Sequence, residues 1–456
     1  MRNSFLSFFV VAFFMMSLST SARAETFYGY LNGAQESPPV ATTATGYCRV
    51  FVNESTMTLN FTLVYNGLTS AQILSHIHAP GAIGANGPVA IDFGTAGGTS
   101  GTITGTRSIT PTQLSQLRQH LGYCNVHSSN FTGGEIRGQL GTKRPVDFDG
   151  DGRNDYSVLR FPTGPPRPIS YWNLNSTVGP QVMGPWGEAS TDFPAPGDWD
   201  GYGIDDLAYF RAGVAAAPQG AFWIFKSSNA TVQYYAWGTT GDLQIARDYD
   251  GDGITDPAVM RRGPVGSQAV WYIRQSSNGT ARIVAFGTSG ATANDQDFPV
   301  PGDYDGDGKF DIAVYRAGVL TPSNTYIVLR SSDGQTSYQT FGNFVSDYIL
   351  PGDYDGDGKY DYAVGRTGAL ATSPMVWWIM NSGNGSLRVQ QFGITSDFPA
   401  QGDYDGDART DIAVVRETGT TTAPTNFWVY NSFTNTTTVQ TWGVAADFAV
   451  NTFDIR

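Results

Sequence analysis

The chain has 456 residues, of which 55 are Gly, 24 are Pro and only 2 are Cys; 40% are hydrophobic and 13% aromatic. That is enough apolar material for packed cores, and too little Cys for a disulfide-dense mini-fold or a Cys-rich zinc protein. The formal net charge of −13 disfavours binding to nucleic acid by phosphate neutralisation, and the length suits about two to four domains.

Residues 1–24 begin with Arg2, run through an apolar stretch from Phe5 to Leu18 and end in Ala22-Arg23-Ala24. A basic start, an apolar middle and a small-x-small ending are the three parts of a secretory signal peptide. The apolar run is shorter than the roughly 20 residues a membrane-spanning helix needs. A mature chain would begin near Glu25. Losing Arg2 and Arg23 takes its charge from −13 to −15. Export leads to an oxidising compartment, in which the two cysteines, Cys48 and Cys124, are expected to form a disulfide.

From residue 25 to 142 the sequence does not repeat, and all four His and both Cys lie there. Apolar and polar residues alternate, as in Met57-Thr58-Leu59-Asn60-Phe61-Thr62-Leu63, which predicts antiparallel strands. A short helix is predicted over Thr112–Leu121, started by Pro111 with Thr112 or Ser115. His76 and His78 alternate, so on a strand they share a face. With His127 they could supply three nitrogens to Zn or Cu; a hydrogen-bonded structural cluster is the other reading.

Beyond a short polar stretch, Gly141-Thr142-Lys143-Arg144-Pro145, the chain repeats to its end. One loop recurs six times: DFDGDGRND from Asp147, DWDGYGIDD from Asp198, DYDGDGITD from Asp248, DYDGDGKFD from Asp303, DYDGDGKYD from Asp353 and DYDGDARTD from Asp403. Each is followed by a short β-type run ending in Arg160, Arg211, Arg261, Arg316, Arg366 or Arg416. An aromatic strand and a strand ending in Trp-Gly or Phe-Gly come next. Four β segments in roughly 50 residues read as a propeller blade, and six blades can close a ring. An Asp stands six residues before five of the loops (Asp192, Asp242, Asp297, Asp347 and Asp397), and Asp447 opens a spare lead-in at the C-terminus. Residues 447–456 are therefore expected to complete the first blade and latch the ring. The recurrent Arg and lead-in Asp either pair within each blade or are solvated at strand ends. The aromatic strands serve blade packing or a sugar-stacking surface.

The loop places carboxylates at positions 1, 3, 5 and 9, as calcium needs six to eight oxygens around one point. The candidate ligands are Asp147, Asp149, Asp151 and Asp155; Asp198, Asp200 and Asp206; Asp248, Asp250, Asp252 and Asp256; Asp303, Asp305, Asp307 and Asp311; Asp353, Asp355, Asp357 and Asp361; and Asp403, Asp405, Asp407 and Asp411. Together they are 23 of the chain's 40 acidic residues, and crowding them without a cation is costly. Up to six Ca2+, structural in role, would bring the mature charge to −3. Tyr202 removes a carboxylate from the second loop, which should bind weakly, and Ala408 replaces a Gly in the sixth.

The loops, the strand ending in Arg and the Phe-Gly punctuation resemble FG-GAP/VCBS repeats, the calcium-loop propeller repeats also found in integrin α chains and some fungal lectins. His76-Ile77-His78-Ala79-Pro80-Gly81 with Asn86-Gly87-Pro88-Val89, and Tyr123-Cys124-Asn125-Val126-His127 with Gly134-Glu135-Ile136-Arg137-Gly138-Gln139-Leu140, resemble the CHRD domain, a module of chordin and of many bacterial exported proteins. The first resemblance implies a six-bladed propeller over 143–456. The second implies a β-sandwich or barrel over 25–142, of which a β-sandwich is the fold expected. The fold class is thus all-β. The expected function is non-enzymatic binding or adhesion to an extracellular protein or glycan, at the cell surface or beyond it. A lectin is the first alternative; an enzyme such as a polysaccharide lyase or a His-metal oxidoreductase is the second, although no G-x-S-x-G or H-E-x-x-H motif is present.

Overall fold

The computed structural model describes residues 24–142, 146–161, 168–176, 179–201, 203–290, 296–316, 324–343 and 347–450. The export segment expected over 1–24 therefore lies outside the described residues save for Ala24, as do Tyr202 and the last part of the expected latch, 451–456.

The N-terminal domain is one nine-stranded, barrel-like sheet. Its strands are β1 (Ala24–Asn32), β2 (Thr45–Asn53), β3 (Thr58–Asn66), β4 (Gln72–His78), β5 (Val89–Asp92), β6 (Gly101–Ser108), β7 (Tyr123–Ser128), β8 (Ile136–Gln139) and β9 (Gly141–Thr142). They run in the order β5-β4-β7-β8-β1-β2-β3-β6, with β9 paired to β1. Alternation puts Cys48, Val50 and Val52 of β2 and Leu59, Phe61 and Leu63 of β3 into a shared core. Cys48 and Cys124 form a disulfide with their Cα atoms 6.5 Å apart. Their strands stand three places apart in the sheet, which in a flat sheet would be about 14 Å. The sheet thus curls around its core. Its two ends are drawn together by Arg107 of β6, whose guanidinium donates to the Asp92 and Phe93 carbonyls at 2.7 and 3.4 Å. Phe93 stacks on Phe61.

The one α-helix among the described residues is α1 (Pro111–Arg118), shorter and earlier than the stretch predicted. Thr110 is its N-cap, in a capping box with Gln113, and Pro111 takes the first helical position. The helix ends because His120 turns left-handed, with φ 53°. The Leu121 and His120 N–H groups then close back on the Gln116 and Leu117 carbonyls, in the arrangement that usually employs Gly.

The second domain is a propeller of six four-stranded antiparallel sheets. One blade, from the centre outward, is Asp192–Pro194, Leu207–Arg211, Gln219–Phe225 and Val232–Thr239. The first blade draws its innermost strand from the other end of the chain: Phe448–Ala449 pairs with Val158 and Leu159. Alternate residues of each third strand, among them Tyr171, Phe222, Trp271, Tyr326, Trp377 and Phe427, are fully buried and pack blade on blade.

In every blade the Arg that ends the second strand meets the lead-in Asp side-on. The pairs are Arg160–Asp447, Arg211–Asp192, Arg261–Asp242, Arg316–Asp297, Arg366–Asp347 and Arg416–Asp397, each through two hydrogen bonds of 2.6–2.9 Å. Of the two readings left open by the sequence, pairing is the one observed. The same carboxylate also accepts a backbone N–H from the chain leaving the outermost strand of the preceding blade, as from Thr239 to Asp242 and from Val444 to Asp447. Each pair therefore fastens two neighbouring blades.

Candidate metal centres

Five of the six Asp-rich loops lie between the first and second strands of their blades, the first loop leads into the second strand of its blade, and all share one internal geometry. The position-1 carboxylate accepts the N–H groups of positions 4 and 6: Gly150 and Gly152 on Asp147, Gly251 and Gly253 on Asp248, Gly406 and Ala408 on Asp403. The position-6 residue needs a left-handed backbone, which Gly adopts freely. Ala408 adopts it too, at φ 68°, and keeps the hydrogen bond to Asp403 at 2.9 Å. The position-9 carboxylate, fully buried in every loop, accepts the position-2 N–H and the N–H of a serine beyond the third strand. For Asp256 the donors are Tyr249 and Ser276, at 2.9 and 2.6 Å.

These serines, Ser176, Ser227, Ser276, Ser331, Ser382 and Ser432, were not singled out in the sequence. The signal was there, since they recur 20 or 21 residues after position 9. The hydroxyls of Ser176, Ser276, Ser331, Ser382 and Ser432 also reach the position-5 Asp of their own loops.

Carboxylate oxygens of Asp147, Asp149 and Asp155 lie within 4.8 Å of one another, as do those of Asp198, Asp200 and Asp206, of Asp303, Asp305 and Asp311, and of Asp248, Asp250 and Asp252. Positions 1, 3 and 9 are gathered in three of these loops, and positions 1, 3 and 5 in the fourth. Position 5 is drawn elsewhere in two loops, where Arg153 and Arg409 bind Asp151 and Asp407. Oδ1 of Asp250 is buried without a hydrogen-bond partner. Burial, and then the repulsion of neighbouring aspartates, raises Asp155 to about 8, Asp256 and Asp311 to about 7 and Asp361 to about 8. Such groups cannot all ionise at neutral pH without positive charge among them. All-oxygen donors, crowded together, fit a hard divalent cation.

The loops are joined to each other. The position-8 N–H of each donates to the position-1 carbonyl of the preceding loop: Asp205 to Asp147, Thr255 to Asp198, Phe310 to Asp248, Tyr360 to Asp303, Thr410 to Asp353 and Asn154 to Asp403. The six bonds close a circle.

The N-terminal domain rests on this face. The Arg153 guanidinium stacks 3.6 Å from the Tyr30 ring centre, and the Gln35 side chain donates to the Gly406 carbonyl. Nδ1 of His120 stands 3.2 Å from Oδ2 of Asp353. A side chain added at Gly358 would collide with the Arg118 carbonyl oxygen at the end of α1.

A second cluster lies in the N-terminal domain, where the structure brings His76, His78 and His127 together. One nitrogen of each ring lies within 4.8 Å of one from each of the others. Burial lowers the pKa of all three, which keeps the rings neutral. Nearby Glu36 is raised to about 7 by burial, against the pull of Arg137.

Residues 27–140 match the family model of the CHRD domain, and residues 248–314 that of an FG-GAP-like repeat. No curated protein matches the chain. Among solved structures, one described as "Crystal structure of the eukaryotic initiation factor" is similar at 8% identity over 92% of this chain and 97% of that one, with a TM-score of 0.27; so slight a likeness carries no argument. The chain contains a CHRD domain followed by a six-bladed propeller that includes FG-GAP-like repeat sequence.

Proposed function

We propose that the protein is exported and acts outside the cell as a non-enzymatic binding or adhesion protein, its propeller held rigid by up to six Ca2+. The observation that carries the calcium reading is the gathering of carboxylates, at positions 1, 3 and 9 in three loops and at 1, 3 and 5 in a fourth, on six loops tied into one circle of backbone bonds. The aspartates at positions 1, 3 and 9 would hold the ion, joined by position 5 in the loops where no Arg engages it, and the second loop would use Asp198, Asp200 and Asp206. The ion would supply the positive charge that lets buried carboxylates ionise together. Export is supported by the apolar leader-like segment and by the Cys48–Cys124 disulfide. No helix among the described residues is long and apolar enough to cross a membrane.

A binding role is supported by the rim. Val182, Tyr234, Ile283, Tyr338, Val389 and Val439 occupy the same place on the outermost strand of the six blades, and each is about half exposed or more. A repeated apolar position along open strand edges suits contact with an extended partner. The lectin reading is weaker, because the half-buried ring faces of Trp172, Tyr272, Trp378 and Trp428 already lie under Arg160, Arg261, Arg366 and Arg416.

Binding of the purified chain to arrayed extracellular proteins and glycans, in Ca2+ and in EGTA, tests the reading. Saturable binding to a protein, weakened by Ile283→Lys with Tyr338→Lys, is expected. Binding confined to glycans would move the function to a lectin, and depolymerisation of an anionic polysaccharide would move it to an enzyme.

A further inference from the structure

We infer that His76, His78 and His127 form a transition-metal site, for Zn2+ or Cu2+, on the outer wall of the N-terminal barrel. The three come from neighbouring strands. His76 and His78 alternate along β4, and β7 places His127 opposite Leu74. Between them Ile77, Cys124 and Val126 point the other way, into the core. A residue on the outside of a barrel wall is ordinarily wet, yet His76, His78 and His127 are only 8, 9 and 7% exposed. Neighbouring loops fold over them, and those loops aim the rings.

Nδ1 of His78 is 2.9 Å from the Gly87 carbonyl, and Nδ1 of His127 is 2.9 Å from the Thr132 carbonyl. A carbonyl only accepts, so each Nδ1 carries the proton and each Nε2 presents a lone pair. Nε2 of His76 lies 3.8 Å from a carboxylate oxygen of Asp92, so a proton on Nε2 would face that charge and leave Nδ1 as the lone-pair nitrogen. These three nitrogens, Nδ1 of His76 and Nε2 of His78 and His127, are buried without a hydrogen-bond partner. An unsatisfied buried acceptor carries its desolvation cost unrepaid, so three in one cluster are costly unless something binds them.

The support around the rings is itself fixed. Tyr123 stacks on His78, with ring centres 4.8 Å apart, and its hydroxyl accepts the Gly87 N–H at 3.1 Å. One side chain therefore holds both the ring and the loop that orients it, as outer partners of a metal-bound imidazole do. Three neutral nitrogens with no thiolate suit Zn2+ or Cu2+ and not Ca2+, so the chain separates two kinds of metal by donor hardness. Three protein ligands also leave a coordination position for water or a small ligand.

The test uses the full chain, stripped with chelator and then returned to excess Ca2+ so that the aspartate loops are filled. Zn2+ or Cu2+ is titrated separately and followed by calorimetry. One equivalent per chain is expected. His78→Gln and His127→Gln should each weaken it roughly hundredfold, with the Ca2+ stoichiometry unchanged. In the wild-type chain, bound Cu2+ should show imidazole nitrogen couplings by electron paramagnetic resonance, a readout that does not depend on how the variants fold. Absence of a tight equivalent for either metal, undiminished binding in the variants, or an oxygen-only copper signal would overturn the assignment.

Discussion

Arg160 and Asp447 are 287 residues apart and meet through two hydrogen bonds of 2.8 Å. They form the same pair that every other blade makes between residues 19 apart. The Asp447 side chain is fully buried while Arg160 is a third exposed, and the same carboxylate takes the Val444 N–H. Phe448 and Ala449 then supply the innermost strand of the first blade. On the loop face, the bond from Asn154 to Asp403 closes the circle a second time.

Asp447→Asn should destabilise the chain by about 3 kcal/mol, because it leaves Arg160 and a buried amide without the matching charge. Asp347→Asn should cost about the same, since the local contacts are alike. Deleting residues 447–456 should cost more than either, because it also opens the ring. Urea unfolding of the three variants checks the order. A deletion as stable as wild type would show that the contact does not latch the propeller.

The calcium-free protein should be most stable in mild acid. Asp155, Asp256, Asp311 and Asp361 are raised to about 7 or 8 in the folded chain, far above the ordinary carboxylate range. Stability linked to such groups is full below their unfolded values and is lost as pH climbs through the folded ones. In EGTA, the melting temperature should therefore fall between pH 5 and pH 8. Saturating Ca2+ should abolish the fall, since binding requires the ionised form. Equal melting at both pH values in EGTA would contradict the crowding of the carboxylates.

Gly358→Ala should loosen the N-terminal domain from the propeller. The position has φ 85°, and a Cβ there would strike the Arg118 carbonyl. Gly253, at the same place in the third loop with φ 83°, meets only Thr26 Oγ1, at 3.6 Å. Both substitutions carry the backbone cost of about 1 kcal/mol, but only Gly358→Ala should speed hydrogen exchange in α1 and at His120. Equal exchange in the two variants would argue against the interface.

The propeller was legible because six copies in fixed register reveal both strand count and loop chemistry. The Arg–Asp spacing was legible as well, but not whether the charges met, because that depends on a lead-in strand lying beside its own blade. The circle of loop bonds was hidden: its donors are backbone N–H groups at Asn154, Asp205, Thr255, Phe310, Tyr360 and Thr410, and no side-chain pattern marks them. In the N-terminal domain, alternation placed His76 and His78 on one face, whereas the nearness of His127 required the register of β7 on β4. The end of α1 was misplaced because a His, where Gly is usual, adopts the left-handed turn. The docking of the two domains left no separate trace, since Gly358 serves the loop turn and the contact at once.

Bound Ca2+ per chain, measured together with the melting temperature in Ca2+ and in EGTA, decides whether the aspartate loops hold ions that stiffen the propeller. Five or six ions per chain are predicted, the second loop with its missing carboxylate being the weakest site, with a fall in melting of the propeller when they are removed. A chain that binds no Ca2+ and melts identically in EGTA would contradict the account.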